Sequence, residues 1–194
     1  HPDLHSCPTR RSSDLQHSFH KTDSPGNQCI NCHMPQTTYM QRHARHDHGF
    51  TIPDPLLTKE THVPNACNRC HKDKDVNWSL AAVDKWYGAQ MQRPTRQRTL
   101  NIAKARQGDD SARDAILRML KEEKQPFWQA VAAGILSQWA ATPDVRAALI
   151  AATTHADPLV RENAAKALDP LAQQPETTSR QALAKMLHDP ARDV

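Results

Sequence analysis

The apolar positions of this chain follow a sustained helical period only in its second half. From Thr99 onward, apolar residues recur every three or four positions, as they do in amphipathic helices. The clearest stretches with this spacing are Ala112–Lys121, Asp144–Ala152 and Ser179–His188. Each is followed by a dipeptide that ends in proline, and the three dipeptides are spaced 32 residues apart: Gln125-Pro126, Asp157-Pro158 and Asp189-Pro190. Proline suits the first turn of a helix, so each dipeptide predicts the start of a second helix.

A fixed period with one helical hairpin per unit is typical of an α-solenoid. The register also holds inside the second helices, because Ala132, Ala133 and Leu136 align with Ala164, Ala165 and Leu168. Residues 157–168 resemble the second helix of a HEAT-like repeat. An ordinary helical bundle is the alternative for this region.

The first half of the chain has only one clear helical stretch. Val76, Leu80, Val83 and Tyr87 fall on one face of a helix, and Gly88 is a good residue to end it. The rest is rich in turn signals and poor in apolar residues. We therefore predict a mostly α protein with an irregular segment at 16–88, a linker at 89–98 and helical repeats at 99–194.

Two copies of the motif C-x-x-C-H stand in the irregular segment. They are Cys29-Ile30-Asn31-Cys32-His33 and Cys67-Asn68-Arg69-Cys70-His71. In each copy, two thiols can add to the vinyl groups of one porphyrin and the histidine can bind the iron, so the motifs predict two haem c groups. A structural zinc site with four cysteines is the alternative, but zinc does not require a histidine directly after each pair. A haem-packed fold would also explain how a segment with little apolar core holds together.

Residues 17–88 resemble a family of multihaem c-type cytochromes that carry C-terminal helical repeats. The resemblance is carried by the His-x-x-His run, by the loop of Asp47, His48 and Phe50, and by three further blocks: Gly26–Pro35, 64–71 and 78–88. Members of that family usually carry further haem motifs upstream, so we expect the chain to be a fragment of a longer protein.

Each haem also needs a sixth ligand, and the chain has histidines outside the motifs to supply it. The candidates are His17, His20, His43, His46, His48 and His62. The resemblance implies His48, because the family's loop most dependably keeps the histidine at that position. We expect His20 to serve the other haem, and Asp47 to accept an Nδ1–H from a neighbouring imidazole.

Residues 8–15 read like a translated sequencing adapter rather than a protein segment, so we treat residues 1–15 as an artefact and leave Cys7 out of the cysteine count. No apolar run approaches the roughly 20 residues of a membrane span, and no signal peptide is visible. Since this type of haem attachment happens outside the cytoplasm, we expect a periplasmic or extracellular protein whose signal sequence is missing. The formal charge of +4 is weak evidence for nucleic-acid binding, which we do not expect.

These features together predict electron transfer by a multihaem cytochrome whose repeats dock redox proteins. Two histidines on each iron would leave no open position for a substrate, which suits an electron carrier better than an enzyme. The alternatives are part of a multihaem reductase of small nitrogen or sulfur oxyanions, and a zinc-binding repeat module.

Overall fold

The computed structural model describes residues 17–172 and 177–191, with residue 177 described by its backbone alone. This part of the chain is mostly helical, which confirms the predicted fold class. It divides into two compact units, one reaching to Gln97 and one starting at Arg98. The predicted artefact at residues 1–15 and the last three residues of the chain lie outside the described residues.

The described residues of the first unit form short α-helices, one β-hairpin and two 3-10 helices, the latter at Pro25–Asn27 and Gly88–Met91. In chain order the α-helices and strands are α1 (Cys29–His33), β1 (Gln36–Tyr39), β2 (His43–His46), α2 (Pro55–Thr61), α3 (Cys67–Cys70) and α4 (Val76–Tyr87). Helix α4 has the bounds that the apolar spacing predicts. Its first turn is capped by Asp75, whose side chain accepts a hydrogen bond from the Trp78 amide at 2.8 Å. It ends at Gly88, which has a φ of +48°. Glycine adopts such a positive φ easily because it has no β carbon.

The sequence analysis missed the β-hairpin. Strands β1 and β2 pair antiparallel, with Gln36 opposite His46 and Tyr39 opposite His43. Met40 and Gln41 turn the chain with positive φ angles of 49° and 60°. Such angles normally call for glycine or asparagine, so the sequence carries no hairpin signal at this turn.

Polar contacts replace an apolar core in much of the first unit. Asn65 is buried and donates to Thr58 and Asn68, and the Ser79 hydroxyl donates to the Asn68 side chain at 3.0 Å. These bonds hold the second cysteine motif between helices α2 and α4. The segment is poor in apolar residues, as its sequence shows, and side-chain hydrogen bonds take the place of apolar packing here.

A buried ion pair also stabilises this unit. The Asp54 carboxylate accepts two hydrogen bonds from the Arg96 guanidinium, at 2.7 and 2.8 Å, and lies 3.5 Å from Arg93. The side chains of Asp54 and Arg96 are only 3% and 6% exposed. Removing one partner would leave a buried charge without compensation.

The remaining helices are α5 (Pro94–Arg106), α6 (Arg113–Glu122), α7 (Pro126–Leu136), α8 (Pro143–Ala152), α9 (Pro158–Ala172) and α10 (Thr177–Met186). Helix α5 begins inside the predicted 89–98 linker. Helices α7 and α9 begin at the predicted prolines, Pro126 and Pro158. Pro190 does not begin a helix within the described residues, which end at 191.

Small and branched apolar side chains form the core of the second unit. Leu136, Val145, Leu149, Val160 and Leu168 are completely buried. Helix α7 packs against α6 and α9, and α8 packs against both α6 and α10. Neighbouring second helices therefore contact each other, and so do neighbouring first helices.

Candidate haem sites

Both cysteine motifs lie on short helices that place their two thiols on one face. Positions i and i+3 of a helix are neighbours, so Cys29 lies beside Cys32 in α1, and Cys67 beside Cys70 in α3. None of these four cysteines forms a disulfide bond within the described residues. A one-turn helix thus presents a matched pair of thiols at each site, as attachment to the two vinyl groups of one porphyrin requires.

The thiols of the two motifs also influence each other's pKa. Burial raises the pKa of the Cys32 thiol, and the charges of Cys70 and Cys29 raise it further. Burial likewise raises the pKa of the Cys67 thiol, with the Cys32 charge adding to the effect. Thiols of the two motifs therefore lie near enough to each other within the first unit for their charges to interact.

The imidazole of His33 is oriented by its surroundings. Its Nδ1–H donates to the Thr51 carbonyl at 2.8 Å, and Phe50 stacks on the ring with centroids 4.9 Å apart and planes 8° apart. The hydrogen bond fixes the tautomer in which Nε2 carries a lone pair, which is the form that binds a metal. The loop that follows the β-hairpin supplies both contacts, and the Thr51 amide is held by the His33 carbonyl at 2.9 Å.

The imidazole of His71 lies among aromatic rings and faces a second histidine. The ring centroids of His71 and Trp78 are 4.8 Å apart, and those of His71 and His20 are 6.1 Å apart. The Nδ1–H of His20 donates to the Ser18 carbonyl at 2.5 Å, which again leaves Nε2 as the metal-binding nitrogen. The structure therefore brings together His71 and His20, both of which the sequence analysis named as ligands.

The position of His20 depends on Gly26. A β carbon at residue 26 would lie 2.2 Å from Cδ2 and 2.7 Å from Nε2 of the His20 ring. The ring thus occupies the space that any other side chain would fill. No sequence signal indicates this contact between Gly26 and His20.

His17 lies beside the other motif histidine. The ring centroids of His17 and His33 are 5.8 Å apart, and the two planes differ by 14°. The Tyr87 hydroxyl donates to the His17 carbonyl, and the centroids of the Tyr87 and His17 rings are 6.1 Å apart. The contact of Tyr87 with His17 was not predicted from the sequence.

The histidines of the hairpin region have other contacts. The Nδ1–H of His46 donates to the Met34 carbonyl at 2.6 Å, and its Nε2 lies 3.2 Å from the side-chain nitrogen of Gln36. His43 and His48 are exposed, and within the described chain neither ring contacts His33 or His71. The assignment of His48 as a ligand stays a prediction.

Asp47 stabilises the turn after strand β2, because its carboxylate accepts a hydrogen bond from the Gly49 amide at 2.8 Å. That turn positions Phe50 and Thr51 beside His33. The expected bond of Asp47 with the Nδ1–H of a neighbouring imidazole stays a prediction.

The residues present fit a covalently attached haem at each motif. Each has two cysteines on one helical turn that form no disulfide bond within the described residues, and at the first motif the imidazole is held in the metal-binding tautomer. In the described ranges 17–172 and 177–191, no three His, Cys, Asp or Glu side chains gather into a metal-binding cluster. The class of protein that these motifs define is a c-type cytochrome.

Comparison with known families agrees with this class. The family model of cytochrome c552 matches residues 15–187, so the chain belongs to the cytochrome c552 family and binds haem c. Proteins of this family are typically periplasmic. No curated protein and no solved structure matches the chain. Within the residues that the structure describes, no helix is both long and apolar enough to cross a membrane.

Proposed function

We propose that this chain transfers electrons through two haem c groups whose irons are each bound by two histidines. Cys29 and Cys32 would attach one haem, with His33 on its iron. Cys67 and Cys70 would attach the other, with His71 on its iron. When bound, the haems supply one-electron redox chemistry, and the chain fixes their ligands and surroundings.

The pairing of His20 with His71 is the observation that carries this proposal. An imidazole nitrogen binds a metal at about 2.0 Å, so two imidazoles on opposite sides of one metal ion have ring centroids roughly 6 Å apart. The observed separation of 6.1 Å between His20 and His71 matches that spacing. An iron with two imidazoles has no open position for a substrate and keeps the same ligands in both oxidation states, which suits electron transfer.

The ligand state of matured protein tests the proposal. A pyridine haemochrome assay should count two haems per chain, and Cys67→Ala with Cys70→Ala should remove one of them. The ferric protein should be low-spin, and the ferrous protein should not bind carbon monoxide. Zinc in place of haem would contradict the cofactor assignment. An iron of the wild-type protein that binds carbon monoxide would instead favour the reductase alternative, which needs an open coordination position.

The second unit supports a further part of the proposal, in which HEAT-like repeats dock a redox protein. Leu136 and Leu168, which stand at equivalent positions of successive repeats, are both completely buried. The equivalent Phe127 and Leu159 are 56% and 41% exposed, each directly after the proline that begins its helix. Repeated exposed apolar side chains on a repeat array provide a recurring contact for a partner.

A matched pair of electron donors tests the docking role. Phe127→Ser combined with Leu159→Ser should leave the haem spectrum and the helical circular dichroism unchanged. The variant should be reduced by dithionite as fast as the wild type, but more slowly by the donor proteins of a periplasmic extract. Equal rates with both donors would contradict a docking role for these side chains.

A further inference from the structure

We propose that His17 is the sixth ligand of the haem attached at Cys29 and Cys32, on the opposite side of the iron from His33. The proposal rests on the proposed function, because it assumes that this iron is six-coordinate. It assigns to His17 the position that the family resemblance gives to His48.

The spacing of the two rings is the first argument. The His17 and His33 centroids are 5.8 Å apart, close to the roughly 6 Å expected for two imidazoles bound to one metal ion. His33 is held at Nδ1 by the Thr51 carbonyl and on one face by Phe50. Nε2 is therefore the nitrogen of His33 that would bind the iron, and among the described residues His17 is the histidine whose ring lies beside that of His33.

The backbone at Phe19 explains how His17 and His20 reach different motifs. Residues three apart on a continuous helix share one face, so a regular helix would aim both rings at the same haem. Phe19 has a φ of +55°, in the left-handed region that non-glycine residues seldom adopt, and this breaks the helical register. The Phe19 ring is stacked on the Trp86 ring, with centroids 4.8 Å apart, and meets the Tyr87 ring edge-on, with centroids 5.6 Å apart. These two contacts hold the turn at Phe19 in place.

Tyr87 positions His17 relative to the first motif. Its hydroxyl donates to the His17 carbonyl, and the centroids of the two rings are 6.1 Å apart. Helix α4, which carries Tyr87, therefore holds the backbone of His17 in place.

Four of the other candidate histidines are less suitable in this structure. His20 lies against His71, and both ring nitrogens of His46 have hydrogen-bonding neighbours. His43 and His48 make no ring contact with either motif histidine in the described part of the chain.

Carbon monoxide titration of the ferrous, matured protein tests the assignment. The wild type should bind none, His17→Ala should bind one equivalent per chain, and His48→Ala should bind none. Added imidazole should restore the low-spin spectrum of His17→Ala. If the wild type binds carbon monoxide, the proposed function fails before the ligand assignment is reached. The assignment of His17 is wrong if neither the wild type nor His17→Ala binds carbon monoxide. It is also wrong if His48→Ala binds carbon monoxide.

Two further variants keep the test decisive if His17→Ala matures poorly. His17→Met should keep the iron low-spin and raise one midpoint potential, because methionine as the second axial ligand favours a higher potential than histidine. Unchanged potentials in that variant would overturn the assignment. Tyr87→Phe retains the ring but loses the hydrogen bond to His17, so it should increase the rate of cyanide binding at one ferric iron. An unchanged rate would remove Tyr87 from its positioning role.

Discussion

Replacing Gly26 with alanine should displace the His20 ring and so open the iron that we propose His20 to bind, although the substitution replaces no proposed haem ligand. The new β carbon would lie 2.2, 2.6 and 2.7 Å from three atoms of the His20 ring, all far inside van der Waals contact. Gly26 has no positive φ angle, so its backbone accepts alanine and the ring must move instead. Overpacking of this kind costs about 1–3 kcal/mol where the surroundings cannot adjust. A ring displaced by even 1 Å can no longer keep a metal bond of about 2.0 Å.

The assay is again carbon monoxide binding to ferrous, matured protein. Gly26→Ala should bind one equivalent per chain and show high-spin character at one iron, as His20→Ala should. Gly49→Ala is the matched control, because its β carbon would meet only the Asp47 carboxylate at 3.1 Å and the Thr51 methyl at 3.4 Å. Gly49→Ala should bind no carbon monoxide. A closed, low-spin Gly26→Ala protein would show that the His20 ring does not depend on this contact and that the geometry behind its assignment is wrong.

Three further predictions concern stability. Arg96→Met should lower the free energy of unfolding by about 1.5–3 kcal/mol in chemical denaturation, because it removes both hydrogen bonds to the buried Asp54 carboxylate and leaves that carboxylate only the 3.5 Å contact with Arg93; a loss below about 1 kcal/mol would mean that the pair is accessible to water. Residues 99–194 alone should give a helical circular dichroism spectrum and a cooperative melt without haem, since their core is made of their own side chains; a flat melt would contradict this. The Arg161 side chain lowers the pKa of Asp189, so this pair stabilises the fold above the ordinary carboxyl pKa and the contribution is lost as the pH falls below it. In Asp189→Asn, the melting temperature should fall less steeply at acidic pH than it does in the wild type. An unchanged pH dependence of the melting temperature would refute the linkage.

Local sequence determined the parts of this protein whose physics is local. The C-x-x-C-H spacing places two thiols and a histidine within one helical turn whatever the rest of the chain does. The bounds of α4 follow from its apolar spacing together with Gly88, and the starts of α7 and α9 follow from Pro126 and Pro158.

The tertiary structure decided which histidine lies opposite which motif. The contact of His17 with His33 depends on a left-handed residue at Phe19 and on a hydrogen bond from Tyr87, 70 residues away in sequence. The place of His20 depends on the missing side chain of Gly26. Neither dependence leaves a periodic trace in the sequence, because a contact between distant segments is set by the path of the backbone between them.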